Sequence, residues 1–363
     1  MSAPPEDRRV SNYPQLGAEG HRGHIDLVPY SALDLSPKPL DGPQAQGVRE
    51  TIEVAQAAER LGYRRFWLAE HHSIPHLSSA APEVLIAALT QATHSIRLGS
   101  GGVMLPNYSP LKVAEVFMAL EALAPGRIDL GLGRALGADG ITGRALGSAT
   151  SEVFPQYFAL LSAWMLDAAG KEPFPSPHPF ERVKASPAGP SHPDLFILCS
   201  SPESARFAGL AGVGMVFAEF IARGDGAPAV KAYREAFQPS IYRSEPFAGV
   251  ATIALAADTE AEAQRLVDLS PRPPRRPGEP PEGEGGFIRR FRGDGPQVRA
   301  YLAEKQAHTA ADEVFVMSAG PTLESRIRSL ELIADEWTDV SSLARRGGGG
   351  GFEREAVEDG GGA

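Results

Sequence analysis

Short apolar runs alternate with amphipathic stretches along most of the chain. Runs of strand length occur at 25–31, 65–69, 96–100, 127–132, 195–199, 213–218, 249–256 and 313–318. Several are apolar on both faces, as buried parallel strands are. Stretches of helical period follow at 44–61, 82–93, 110–123, 151–168, 203–211, 227–237, 258–268 and 322–335. Pro82 stands at a first helical position, and Asp258 with Thr259 precedes the run EAEAQRL; both are helix-start signals. Eight strand–helix units are the count of a TIM (β/α)8 barrel. A doubly wound sheet is the competing layout, and the even spacing with no break half-way favours the barrel.

Composition refines this α/β picture. Residues 1–23 are polar and read as a flexible leader, 24–340 as the barrel, and 341–363, rich in glycine, as a disordered tail. Residues 271–286 (PRPPRRPGEPPEGEGG) have almost no apolar side chain, too little to offset ordering entropy, and read as a mobile loop before the last strand. The Pro-rich stretch 170–194 keeps Phe174, Phe180 and Val183 and reads as an ordered insertion between strands 4 and 5. With 35 Lys and Arg against 45 Asp and Glu, the net charge is −10, which argues against nucleic-acid binding. One cysteine, Cys199, excludes a disulfide framework and a cysteine-based zinc cluster. No apolar run has the length of a membrane span and the N-terminus lacks a secretory core, so a cytoplasmic enzyme is expected.

In a barrel, chemistry belongs on the loops after the strands. Strand 2 runs into LAEHHSIPH, bringing Glu70, His71, His72 and His76 together. A histidine here suits general acid–base work; a polar loop with one structural histidine fits equally. A metal needs three or four ligands, and no second cluster supplies them. Strand 3 runs into GSGGVMLPNYSP, where Gly99, Gly101 and Gly102 allow close backbone approach to a flat group, or mark a bulge. Strand 4 ends in GLGRALG, an imperfect dinucleotide fingerprint with Leu136 at its sixth position. Its Arg134 suits a phosphate or carboxylate, or a surface ion pair. Strand 5 ends in CSSPESARFAGLAG, with Ser201 as N-cap, Pro202 next and Ser204 in the first turn. That is a phosphate cradle or simply a capped helix.

Taken together, WLAEHH, RLGSGGVMLPNYSPLKVAE and LEALAPGRIDLGLGRALG resemble the bacterial luciferase-like flavin-dependent monooxygenases, closely over 61–137 and more loosely over most of 25–336. The resemblance implies a TIM-like barrel binding FMN at its C-terminal face. The FMN would arrive reduced from a separate reductase (a transient partner) and react with O2, and the flavin hydroperoxide would oxidise a small organic substrate. It implies His71 as acid–base residue and Gly101–Gly102 as a non-proline cis peptide against the ring. It also implies Arg134, Ser201 and Ser204 at the phosphate, and a homodimer.

Two departures stand out. Luciferase has a reactive cysteine where this chain has Gly133, so light emission is not implied. A second phosphate-binding arginine has no match in GSATSEVF. A deazaflavin-dependent oxidoreductase remains open, as does a silent flavin-binding partner subunit, although the intact AEHH counts against the latter. Phe66, Met104, Tyr108 and Phe220, on or beside the strand-end loops, are substrate-pocket candidates, with core packing as the alternative. The substrate itself is not legible.

Overall fold

Each of the eight apolar runs becomes a parallel strand. In the computed structural model, which describes residues 28–222, 224–270 and 290–335, the strands are β1 (Tyr30–Asp34), β2 (Arg65–Leu68), β3 (Arg97–Met104), β4 (Ile128–Gly133), β5 (Asp194–Cys199), β6 (Gly214–Ala218), β7 (Ala248–Ala257), β8 (Phe291–Asp294) and β9 (Glu313–Ser318). β1 to β7 pair in order, β7 pairs with β9, and β9 closes on β1. The result is a closed eight-stranded TIM barrel. The extra strand β8 pairs only with Ala254–Ala257 at the far end of β7, beyond the barrel register. The first strand begins later than the apolar run at 25–31, because Pro29 cannot donate to a ladder.

Helices ring the barrel: α1 (Gln44–Arg60), α2 (Pro82–Ala92), α3 (Pro110–Leu123), α4 (Gly140–Leu146), α5 (Phe154–Ala168), α6 (Pro202–Leu210), α7 (Ala227–Ala236), α8 (Glu260–Leu269), α9 (Gly295–Thr309) and α10 (Leu323–Ala334). The hydrophobic pattern does not reveal α4, which is short, or α9. Among large apolar residues α9 buries only Val298 and Leu302, so its period is faint. Its start signal is nevertheless present: Asp294 and Gln297 form a capping box around Pro296. The 170–194 insertion is ordered, with Phe174 and Phe180 against Trp164 at ring separations of 5.3 and 5.8 Å. The leader, the 271–286 loop and the tail lie outside the described residues.

Two cores result. The outer one joins strands to helices. The inner one fills the barrel with Leu33, Trp67, Phe196, Val216 and Phe315. Trp67 meets Phe196 at 4.9 Å and Phe315 at 4.5 Å. Glycines on the facing strands make room: a Cβ on Gly99 would lie 2.6 Å from the Trp67 indole nitrogen, and one on Gly249 would lie 2.8 Å from Phe315.

The N-terminal end of the barrel is sealed by charge. Asp129, fully buried, accepts from Arg65 (2.8 Å), from Arg97 Nε (3.0 Å) and from the Trp67 indole N–H (2.9 Å). Arg65 also reaches Glu313 at 3.2 Å. Burial pushes the Asp129 pKa up, but Arg65, Arg97 and the Trp67 hydrogen bond outweigh it and hold it low.

Candidate active site at the C-terminal mouth

After Leu68 the chain leaves β2, and consecutive side chains turn to opposite sides. Glu70 is fully buried. Its carboxylate accepts from the Met104 backbone N–H (2.8 Å), the Asn107 side chain (3.0 Å) and the Tyr108 hydroxyl (3.0 Å), and lies 2.7 Å from His72 Nε2. Burial and this carboxylate raise the Tyr108 pKa. Glu70 therefore fastens the end of β3 and the loop after it to the end of β2. Charge and sequence position alone gave no sign of that role. The signal in the sequence was an acidic residue embedded in an apolar strand end, where an unpaired carboxylate would be costly.

His71 turns the other way. Its backbone N–H donates to Ser79 O at 2.8 Å. Its ring lines a cavity of about 440 Å³ over the ends of β1, β7 and β9, together with Leu33, Phe220, Met317 and Ser318. Two polar atoms buried at this cavity, His71 Nδ1 and Ser318 Oγ, have no hydrogen-bond partner among the described residues. Burial depresses the His71 pKa to about 4, with His72 and His76 adding to the effect, so the imidazole is neutral at physiological pH. Ser270 and Arg290, on either side of 271–289, also line this cavity.

The Gly101–Gly102 peptide is cis, and the β3–β4 register shifts at this point. Neither residue has room for a side chain: a Cβ on Gly101 would meet Leu33 Cδ1 at 2.8 Å, and one on Gly102 would meet Gly131 O at 2.6 Å. Leu33 thus links the cis peptide to the cavity that holds His71. At Gly133 a Cβ would meet Met104 Sδ at 2.6 Å, so the Met104 side chain occupies the space a cysteine there would use.

Arg134 is exposed just beyond β4 and forms no ion pair among the described residues. Burial pushes the thiol of Cys199, at the end of β5, up to about 12, with Ser204 and Arg134 pulling it down. Ser201 and Ser204 form a reciprocal capping box, with Ser204 N–H donating to Ser201 Oγ at 3.3 Å. Both hydroxyls therefore serve the helix itself. Ser201→Ala is expected to cost about 1 kcal/mol in urea unfolding through the cap alone.

Of the pocket candidates, Phe220 lines the cavity. Tyr108 belongs to the Glu70 cluster and Met104 packs beside Gly133 and Gly137. Phe66 does not reach the site. It is fully buried in the outer core, because Trp67, its neighbour in the strand, takes the inward position. Among the described residues, no group of three or more His, Cys, Asp or Glu could hold a metal ion.

Residues 31–317 match the family model for luciferase-like monooxygenases. The chain belongs to that family. This luciferase-like monooxygenase is 35% identical over 332 residues to an Escherichia coli luciferase-like monooxygenase, covering 85% of this chain and 96% of the relative. It is 38% identical over 243 residues to the N-acetyl-S-alkylcysteine monooxygenase of Bacillus subtilis, covering 66% and 71%. Among solved structures, apo-MsnO8 superposes with a TM-score of 0.76 at 34% identity, covering 86% of this chain and 98% of that one. Two more distant structures share the fold alone. One is an FMN complex of the oxygenating constituent of 3,6-diketocamphane monooxygenase from Pseudomonas putida (TM-score 0.63, 20% identity, covering 85% and 97%). The other is an F420-dependent secondary alcohol dehydrogenase (TM-score 0.58, 14% identity, covering 85% and 100%).

Proposed function

We propose that this luciferase-like monooxygenase takes FMN, reduced by a separate reductase, and uses O2 to oxidise a small organic metabolite. The observation that carries this reading is His71, a neutral imidazole whose buried Nδ1 is unpartnered at a cavity that also reaches Leu33, against which the cis Gly101–Gly102 peptide packs. Reduced FMN, when bound, supplies the two electrons needed to place one oxygen atom of O2 in product and the other in water. The rest falls to the chain. Gly101 and Gly102 present bare backbone to a flat ring. Arg134, which forms no ion pair among the described residues, suits the phosphate, with Ser201 and Ser204 ordering the start of α6. His71 holds or returns a proton at Nδ1. The Glu70 cluster keeps the β2 and β3 ends in register beside it. The proposed setting is the cytoplasm, with the chain as a homodimer; no described helix is long and apolar enough to cross a membrane.

Titration of the protein with FMN, riboflavin and a deazaflavin, each reduced and oxidised, tests this reading. FMN is expected to bind more tightly than riboflavin. Arg134→Ala should weaken FMN binding about 10-fold or more, the worth of a hydrogen bond to a charged group, and leave riboflavin unchanged. Equal affinity for FMN and riboflavin would remove the phosphate site, and preference for the deazaflavin would replace FMN.

A further inference from the structure

The inward face of β9 ends in a sulfur. Side chains alternate along a strand, so Phe315 and Met317 share that face. Phe315 lies in the inner core, and Met317, nearer the mouth, packs against it. Ile253, the register partner of Met317 on β7, lines the main cavity with it, as do Leu33, Phe220 and His71. Met317 is half-buried, neither locked in a core nor out in solvent. The chain has six methionines. Met118, Met165 and Met215 are buried in the outer core, and Met104 packs beside Gly133 and Gly137. Among the described residues, Met317 is the one thioether that lines the same cavity as His71 and Leu33. A thioether is polarisable and takes one oxygen atom to become a sulfoxide. The hydrocarbon side chains of Leu33, Phe220 and Ile253 around it carry no atom so easily oxidised.

We propose that Met317 is an internal oxygen acceptor: when no organic substrate fills the cavity, the oxygen atom meant for it passes to Met317 Sδ. This rests on the monooxygenase reading and adds a modification site to it. One S–O bond forms at Met317 and the O–O bond of O2 breaks. The sulfur gives up two electrons, reduced FMN supplies the other two with two protons, and the second oxygen atom leaves as water. The sulfoxide is polar and lies among Leu33, Phe220 and Ile253, so it weakens later binding of an apolar substrate there. Turnover without substrate thus damages the wall that would receive one.

The test is peptide mapping by mass spectrometry of the full chain after repeated cycles with chemically reduced FMN and isotopically labelled O2, with no organic substrate and with catalase present. The Met317 peptide is expected to gain the mass of one labelled oxygen atom, several-fold ahead of the Met104 peptide, while Met118, Met165 and Met215 stay unmodified. Omitting catalase should leave the Met317 yield unchanged, because the oxygen atom is delivered inside the cavity and not through solution. Modification of Met104 to the same extent would overturn the proposal. So would a Met317 yield that appears only without catalase, which would make peroxide in solution the oxidant. Binding and consumption of reduced FMN are followed in the same samples. If the protein binds no reduced FMN, the monooxygenase reading fails and this proposal with it. If bound FMN is consumed by O2 while Met317 stays unmodified, the proposal alone falls.

Discussion

His71→Ala is expected to lower oxygenated product by about 10²–10⁴-fold, the range a general acid–base residue supplies, while FMN affinity stays nearly unchanged. Consumption of chemically reduced FMN should continue and end in hydrogen peroxide, because loss of the imidazole removes control of the proton and not the reaction with O2. His72→Ala is the comparison. His72 faces Glu70 at 2.7 Å, so its removal should act through the stability of the strand-end cluster. Full coupled turnover in His71→Ala would exclude it from the mechanism, and equal losses in both variants would mean that the loop as a whole had given way. The two properties of His71 can also be separated by pH. Its folded-state pKa, about 4, lies below the ordinary value of 6.5. The unfolded chain therefore binds the proton first, and stability falls as pH drops from about 6.5 toward 4. His71→Asn should flatten that part of a stability profile measured by urea unfolding.

Asp129→Ala is expected to destabilise the protein by about 3–5 kcal/mol, as removal of one member of a buried ion cluster does. It would leave Arg65, Arg97 and the Trp67 indole N–H facing a void at the base of the barrel. Because the carboxyl titrates below its ordinary value of 3.8, its contribution is complete above about pH 4 and is lost as pH falls further. An unfolding midpoint equal to that of the parent would show that the cluster adds no net stability. FMN affinity, at the opposite end of the barrel, should change little in the folded fraction.

The barrel was readable because its strands are buried on both faces and its helices carry a clear apolar stripe; α3 matches its predicted span of 110–123 at both ends. What escaped the pattern had weak amphipathicity or none. β8 is a four-residue strand with one buried residue, and α9 packs through few side chains. At the site, sequence position was enough to put His71 at the cavity wall, Gly101 and Gly102 in β3 and Arg134 just beyond β4. It was insufficient for Glu70, whose role depends on the side chains of Asn107 and Tyr108 arriving from the loop after β3. It misplaced Phe66 because inward and outward positions alternate along β2, and Trp67, next in the strand, takes the inward one.

The closure itself has a consequence for how the protein is made. β1 is held on one side by β2, its near neighbour in sequence, and on the other by β9, and the Ser31–Glu313 hydrogen bond across that seam joins residues 282 positions apart. At about 5–20 residues per second, a ribosome takes on the order of 15–60 s to deliver the second partner after the first strand has emerged. Throughout that interval β1 presents a row of unpaired N–H and C=O groups, the kind of edge that recruits other chains. Ribosome-bound chains that stop before Glu313 should therefore bind holdase chaperones more strongly than chains extended past Ser318, and a premature stop in the last strand should yield aggregate in place of a slightly shortened enzyme.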